Sequence, residues 1–239
     1  MLILGCDTSS IASGALVRVP VVDGAPDARR LEVLGSFRTH DTRSHAEAMA
    51  PGVRDLLENS GIRGQDLDLI LAGVGPGPFT GLRAGIMTAR AMGWAWIVPV
   101  RGVVSSDAVA EGSFRDAASA GHSVFGVATD ARRREVYSAV YRLTDDHGTG
   151  ATGYTRIHGP VVGPAGDLDP QLPMAGRGAE LYADALTPLA GHDQDEPLAE
   201  LLGASALRTG LDTTLESTSP LYLRESDARV PSDRKKATR

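Results

Sequence analysis

Short apolar runs bounded by turn residues predict that this chain starts with strands. Three such runs precede the first helical pattern, at residues 2–7, 14–19 and 31–38. A fourth run, residues 67–74, is apolar except for Asp68. A run of that kind is typical of a strand buried on both faces, so we expect it to lie centrally in a sheet.

Helical patterns fill the spaces between these strands. Ser44 and Glu47 have the spacing of a capping box, which satisfies the free amides at the start of a helix. A second helix is predicted over residues 82–94, and after a short strand a third begins near Ser105. The order β-β-β-α-β-α-β-α predicts an α/β fold in which a mixed sheet is flanked by helices.

The pattern changes after Gly121, where alternating strands predict a second, smaller lobe. Its strands are predicted at residues 122–129, 135–143 and 154–161, and its helices near 179–186 and 198–209. We therefore expect three parts: an N-terminal lobe over residues 1–103, a second lobe over residues 104–225 and a disordered basic tail over residues 226–239. Five basic and two acidic residues give that tail a charge of +3.

Composition narrows the class of protein. The 239 residues are 42% apolar and 23% charged, which are ordinary values for a globular chain that buries a core. The net charge of −6 lacks the basic excess expected of a protein that grips nucleic acid by itself. The single cysteine, Cys6, excludes an internal disulfide. Arg90 interrupts the longest apolar stretch, so no membrane span is expected. Residues 1–5 lack the basic leader of a signal peptide, so we expect them to form a strand. We expect a cytoplasmic protein.

The densest chemical signal is the segment 73–85, which holds five glycines and two prolines between a predicted strand and a predicted helix. Such a loop suggests an anion site at a helix N-terminus, with Thr80 as its cap. The spacing does not match a P-loop, because no Gly-Lys-Ser/Thr follows, and it does not match the dinucleotide Gly-x-Gly-x-x-Gly motif either. No histidine pair has metal-ligand spacing, so no metal site is predicted.

Taken as one continuous string, residues 73–85 are a more specific signal than either of these short glycine motifs. It resembles the Gly-x-Gly-Pro-Gly-Ser/Pro-Phe-Thr-Gly-Leu-Arg-x-Gly signature of the TsaB family, the dimerisation subunits of the bacterial tRNA threonylcarbamoyladenosine synthesis complex. Other short motifs also resemble those of this family and occur in the same order along the chain: Asp7-Thr8-Ser9, Ser44-His45-Ala46-Glu47, Gly102-Val103, Asp130-Ala131-Arg132, Glu135-Val136-Tyr137 and Pro220-Leu221-Tyr222-Leu223-Arg224. The resemblance is thin between Leu143 and Pro220.

This resemblance implies an actin-like ATPase or sugar-kinase fold built from two ribonuclease H-like lobes. It also implies partners: the larger catalytic relative TsaD, the ATPase subunit TsaE, a possible second copy of this chain, and tRNA mainly through the complex. The catalytic relative holds its metal through two histidines after a Gly-Val pair. Here those positions are Ser105 and Val109, which are poor or impossible ligands. We therefore expect neither catalysis nor a bound cofactor.

Asp7, Thr8 and Ser9 follow the first strand, where this fold turns toward a nucleotide phosphate. Asp7 could organise a magnesium ion or water while the two hydroxyls bind phosphate oxygens. The alternative is a strand-end turn in which the same side chains bind neighbouring backbone amides.

The resemblance also implies a partner interface on the first two helices, both of which are apolar on more than one side. The expected contact residues are Met49, Val53, Leu56, Leu82, Ile86 and Ala89. The alternative is that both helices are simply buried within their own lobe.

Other assignments remain open. The three arginines at residues 132–134 could contact RNA or a partner's acidic groups, or be solvated at a hairpin tip. The basic tail could be an electrostatic arm for tRNA or a solvated terminus. As whole functions, an independent actin-like ATPase or small-molecule kinase and a metalloprotease are the alternatives to the accessory subunit.

Overall fold

The computed structural model describes residues 1–40, 45–145, 152–211 and 217–224. It contains two five-stranded sheets with helices on their faces. The predicted Ser44 cap and the basic tail lie outside the described residues.

The first sheet is built from the strands β1 (Leu2–Asp7), β2 (Ser13–Arg18), β5 (Glu32–Arg38), β6 (Leu69–Gly73) and β7 (Val100–Val103). A two-stranded hairpin, β3 (Val21–Val22) with β4 (Ala25–Pro26), lies between β2 and β5. The strand order is β5-β2-β1-β6-β7, with β5, β2 and β1 antiparallel and β1, β6 and β7 parallel. The apolar run at residues 67–74 thus forms β6, which lies one place from the edge, while β1 is central.

The second sheet repeats this plan with the strands β8 (Val124–Asp130), β9 (Glu135–Asp145), β10 (Thr152–Pro164), β11 (Pro173–Ala175) and β12 (Thr187–Pro188). Its order is β10-β9-β8-β11-β12, again with three antiparallel strands followed by two parallel ones. Two sheets of equal topology confirm the predicted actin-like architecture.

Five helices cover the sheets: α1 (His45–Ser60), α2 (Phe79–Trp96), α3 (Ser105–Ser119), α4 (Arg177–Leu181) and α5 (Ala199–Thr209). Helices α1 and α2 bury one face of the first sheet, where Leu4, Met49 and Ile70 share a core. Helix α5 covers the opposite face, with Leu202 packed among Ile3 and Val17. No helix in the described ranges has the length and apolar character that a bilayer crossing requires.

Helices α3 and α5 lie side by side between the two sheets. Ala108 on α3 packs in the first sheet's core, and Phe114 one turn and a half later packs with Phe125 of the second sheet. The chain after Ala199, which the pattern placed in the second lobe, packs against the first sheet. The lobe boundaries themselves stay a prediction.

Candidate functional site

Asp7 lies at the carboxyl end of the central strand β1, where its side chain is fully buried. Its Oδ1 accepts hydrogen bonds from the Ser9 N–H at 2.7 Å and from the Ser9 hydroxyl at 2.6 Å. Its Oδ2 accepts from the Ser105 hydroxyl at 2.6 Å. Gly73 lies so close that an added Cβ would stand 1.7 Å from Oδ2, so only glycine fits beside this carboxylate.

Burial raises the pKa of Asp7 to about 6, because it disfavours the charged form more than the three hydrogen bonds favour it. The negative charge of Glu196 contributes to the same rise. The hydrogen bonds from Ser9 to Asp7 match the turn that the sequence left as the alternative. Nucleotide contact by Asp7, Thr8 and Ser9 stays a prediction.

Thr8 performs an unusual structural role in α2. Its hydroxyl donates to the Gly81 carbonyl at 2.7 Å and accepts from the Gly85 N–H at 3.1 Å. Those two backbone groups are four residues apart and would bond each other in an uninterrupted helix. Gly81 and Gly85 permit this insertion, since a Cβ on either would stand 2.6 Å or less from Thr8 atoms. Both glycines of the signature segment are therefore explained by close approach of the β1 loop.

The helix N-terminus after the glycine-rich segment differs from the prediction. Pro78, not Thr80, occupies the N-cap position of α2, and it has no side-chain hydrogen bond to the helix. Thr80 lies inside the first turn. The expected hydroxyl cap was wrong, because the helix begins before it.

The two positions aligned with metal-binding histidines are used structurally. Ser105 donates to Asp7 and accepts the Gly75 N–H at 3.0 Å, so its hydroxyl ties the start of α3 to β1 and to the glycine-rich segment. Val109 is fully buried in the core under the second sheet. Within the described ranges, no group of three His, Cys, Asp or Glu side chains could hold a metal ion.

A cleft of about 280 Å³ lies between the two lobes, just below the usual size of pockets that hold drug-sized ligands. It is lined by Ile11, Arg38, Thr39, His40, Arg177, Glu180, Gln194 and Glu196. Glu196 pairs with Arg177 at 3.5 Å, while its buried Oε2 has no hydrogen-bond partner. Burial raises the pKa of Glu196. The cleft therefore combines arginine and carboxylate groups rather than the purely basic lining that a polyphosphate favours.

The residues expected at the partner interface face inward. Met49, Val53, Leu82, Ile86 and Ala89 are at most 2% exposed and pack in the core of the first lobe, and Leu56 is half-buried. These helices do present other apolar side chains to solvent. Met87 is 57% exposed and Trp94 is 86% exposed. An interface on α2 would therefore be made by its outward residues.

One feature was not assigned a role from the sequence, and the role of another was left open. Phe79, Arg83 and Tyr222 form a cluster that had no assigned role, in which the Arg83 guanidinium lies 3.9 Å from the Phe79 ring centre and its Nε donates to the Tyr222 hydroxyl at 2.9 Å. The three arginines at 132–134 all have positive φ, between 57° and 65°. The sequence signal that could have identified both features was the presence of these aromatic and arginine residues in or beside the family motifs.

Comparisons with known proteins agree with this architecture. The family model described as TsaD: tRNA N6-adenosine threonylcarbamoyltransferase matches residues 32–158. An uncharacterised protein of Mycobacterium tuberculosis is 39% identical over 199 residues, covering 83% of this chain and 84% of the relative.

Named relatives and a solved structure are also similar. The Bacillus subtilis tRNA threonylcarbamoyladenosine biosynthesis protein TsaB is 30% identical over 59% of this chain and 56% of its own length. The structure of YeaZ from Pseudomonas aeruginosa superposes with a TM-score of 0.70 at 27% identity, covering 93% of this chain and 99% of that one.

Proposed function

Because this chain belongs to the TsaD family of tRNA N6-adenosine threonylcarbamoyltransferases, we propose that it serves as an accessory subunit in making threonylcarbamoyladenosine in tRNA. The TsaB-named relatives from Bacillus subtilis and Escherichia coli support the accessory assignment within that family. Its role in this proposal is to bind and activate a larger catalytic relative.

The non-catalytic role is supported by the residues at the two positions that the resemblance aligns with metal-binding histidines, Ser105 and Val109. The Ser105 hydroxyl forms hydrogen bonds with Asp7 and Gly75, and Val109 is buried among apolar side chains. A valine side chain offers no donor atom and a neutral serine is a poor ligand for zinc or iron. Binding and activation then depend on shape: this subunit must bind the active conformation of its partner more tightly than the inactive one.

The outward side of α2 is the surface we propose for the larger TsaD-type partner, or for a second copy of this chain. Met87 and Trp94 lie on that side, close to two turns apart, and both are more than half exposed. Large apolar side chains that stay exposed together mark interaction sites more often than isolated ones do. The ATPase subunit TsaE would join the assembly through other contacts.

The surface is tested by charge substitution. Met87→Glu is expected to weaken binding to the larger subunit at least tenfold in calorimetry without lowering the melting temperature, since Met87 is exposed. Ile157→Glu, at a 41% exposed position on β10, is the matched control and should bind normally. Ile86→Glu should instead unfold the chain, because Ile86 is 2% exposed. Equal binding by Met87→Glu and wild type would place the interface elsewhere.

The function itself is tested by threonylcarbamoyl incorporation into tRNA, using this protein alone, the larger relative alone, and both with the other components fixed. We expect incorporation above background only when both are present. Incorporation by this chain alone would overturn the non-catalytic role. Incorporation that does not depend on this chain would overturn the accessory role.

The position of Asp7 at the carboxyl end of the central strand β1 favours one second candidate, an independent ATPase or small-molecule kinase. In this candidate, Asp7 would act near a nucleotide bound at the end of β1. This candidate requires magnesium-dependent ATP turnover by the chain alone, and that turnover should be lost in Asp7→Asn. The absence of turnover in both proteins would remove it.

A further inference from the structure

Three arginines in succession adopt a backbone conformation that arginine disfavours. Arg132, Arg133 and Arg134 form the turn between β8 and β9, and each has a φ in the left-handed region. The steric clash of Cβ with the backbone makes that region unfavourable for ordinary residues, which is why glycine and asparagine are usual in such turns. Turn geometry therefore does not account for the choice of arginine, and the side chains themselves require an explanation.

The turn is held in one conformation by its own hydrogen bonds. The Arg132 N–H donates to Asp130 Oδ1 at 2.7 Å, and the Glu135 N–H donates to the Arg132 carbonyl at 3.0 Å. The Ala131 N–H donates to the Glu135 carbonyl at 3.0 Å. All three arginines are exposed. The chain thus presents three guanidinium groups from a fixed backbone, which lowers the entropic cost of engaging a ligand.

The C-terminal segment 217–224 extends this basic surface. Arg224 forms an ion pair with Glu135, the residue that follows the turn. Two residues earlier, Tyr222 packs against Phe79 with ring centres 4.7 Å apart and ring planes tilted by 30°, and it accepts the hydrogen bond from Arg83. Phe79 and Tyr222 remain 46% and 40% exposed. A continuous set of contacts therefore joins the arginine turn to an exposed aromatic cluster.

We define the basic-aromatic face by these residues: Arg132, Arg133, Arg134, Arg224, Arg83, Tyr222 and Phe79. Five of these residues are arginines, and the carboxylates of Asp130 and Glu135 lie beside them, on a chain whose net charge is −6. The sequence after Arg224 is also basic on balance, since residues 225–239 hold five basic and three acidic residues, or +2. Ten of the chain's 24 lysines and arginines thus belong to this face or to the sequence that follows it.

We propose that the basic-aromatic face binds unpaired nucleotides of the tRNA substrate, with the arginines on backbone phosphates and a base stacked against the aromatic cluster. Arginine recognises phosphate by paired N–H groups, and exposed aromatic rings stack bases that are not held in a helix. Double-stranded RNA keeps its bases stacked inside, so the face should prefer a loop to a duplex. The identity of the RNA as tRNA rests on the proposed function, whereas the preference for unpaired RNA rests on the face alone.

The experiment measures binding of a fluorescently labelled anticodon stem-loop RNA to the full chain by anisotropy over a range of salt concentrations. With about four phosphate contacts on a single strand, log K should fall with log salt at a slope near −3. Replacing all three turn arginines by glutamine should weaken binding at least tenfold at low salt and reduce the magnitude of that slope by about 2. Tyr222→Leu should weaken binding by on the order of tenfold at an unchanged slope, because it removes stacking and no charge.

Matched controls separate this site from general charge and folding effects. The control is the triple variant Arg18→Gln, Arg29→Gln and Arg30→Gln. It removes the same charge from exposed positions at the end of β2 and between β4 and β5, and it should change the binding affinity less than threefold. Tyr222→Phe keeps the ring and should bind within about twofold of wild type. A blunt duplex of the same stem should bind more weakly than the stem-loop, and inorganic pyrophosphate should compete only at far higher concentration.

Several results would overturn the inference. They are unchanged affinity and slope in the triple turn variant, equal loss in the two triple variants, and a duplex bound as tightly as the loop. Loss of larger-subunit binding in the turn variant with RNA binding intact would also overturn it, because the face would then be a protein contact. If incorporation depends on this chain but the RNA results fail, only this inference falls. If the RNA results hold but incorporation is independent of the chain, the proposed function falls and the RNA-binding face stands.

Discussion

At the scale of single residues, the glycines of the signature segment show how closely the β1 loop and α2 approach each other. In an exposed helix, alanine is more favourable than glycine by about 1 kcal/mol. Gly85 reverses that preference, since an added Cβ would stand 2.2 Å from Thr8 Oγ1. The loop must move or the helix must distort, and both disturb the hydroxyl that joins Gly81 to Gly85.

Gly85→Ala is therefore expected to destabilise the protein by about 1–3 kcal/mol, because the cost of overpacking exceeds the gain in helix propensity. Urea unfolding followed by circular dichroism measures this difference. Gly166→Ala is the control: that glycine has no atom within 4 Å of its added Cβ, and the change should be within about 0.5 kcal/mol. A Gly85→Ala protein as stable as wild type would mean that the β1 loop is not packed against α2 as described.

At the scale of elements, His192 links α3 to the loop that precedes α5. Its Nε2 lies 2.8 Å from Asp116 Oδ2 on α3, and its Nδ1 lies 2.7 Å from Asp195 Oδ2. Both nitrogens can donate only when the ring is protonated. Burial lowers the pKa of His192, but the hydrogen bonds to Asp116 and Asp195 outweigh it and raise the pKa above its usual 6.5.

A raised histidine pKa stabilises the folded state fully below about pH 6.5, and that stability is lost as the pH rises through the folded-state value. We expect the free energy of unfolding to decline above pH 6.5 and to decline less in Asp116→Asn. Denaturant unfolding at a series of pH values between 6 and 9 measures this. Asp184→Asn, at an exposed position, should keep the wild-type slope. An identical slope in wild type and Asp116→Asn would count against the link.

The same scale shows what the sequence could and could not predict. Apart from the two-residue strands β3 and β4, the order of strands and helices through α3 followed from apolar runs, because a strand buried on both faces and an amphipathic helix have different periods. The short strands β11 and β12, three and two residues long, have too few positions to show a period. They were missed for that reason.

The candidate site, like the fold, could be predicted from the sequence only in part. Asp7 and Ser105 could be named from motifs, but their hydrogen bond joins residues 98 positions apart and depends on the tertiary fold. The inward direction of Met49 and Ile86 was also hidden, because both helices carry apolar residues on several sides and the period does not say which side meets the sheet. The exposed residues Met87 and Trp94 became distinct only in the structure.

At the scale of the whole molecule, α3 and α5 join the two lobes into one unit. The Glu111 carboxylate on α3 accepts two hydrogen bonds from the Arg208 guanidinium on α5, at 2.7 and 2.8 Å, and a third from Tyr154 of β10 at 3.1 Å. Glu111 is 5% exposed. Removal of one partner of such a buried ion pair lowers the stability of a protein more than replacement of both partners by apolar residues, because the remaining charge is buried without compensation.

Glu111→Gln is accordingly expected to lower the free energy of unfolding by about 3 kcal/mol. Glu32→Gln, which breaks the exposed 3.2 Å pair with Arg18, should lower it by less than about 1 kcal/mol.

Because α3 packs on both sheets, chemical denaturation of the wild type should show one transition by fluorescence and by circular dichroism. Two separated transitions would show that the lobes are energetically independent, and equal effects of the two substitutions would show that the buried pair contributes no more than the exposed one.

The packing of α5 on the first sheet also has a consequence for synthesis on the ribosome. Ile3, Val17 and Leu71 form an apolar face that residues 199–209 cover in the finished fold. Strands β1, β2 and β6 emerge long before that helix, so the nascent chain carries this face uncovered while the second sheet is made. Uncovered apolar surface on an incomplete chain is prone to aggregation. The protein should therefore depend on chaperones most strongly while the residues between β6 and α5 are being translated.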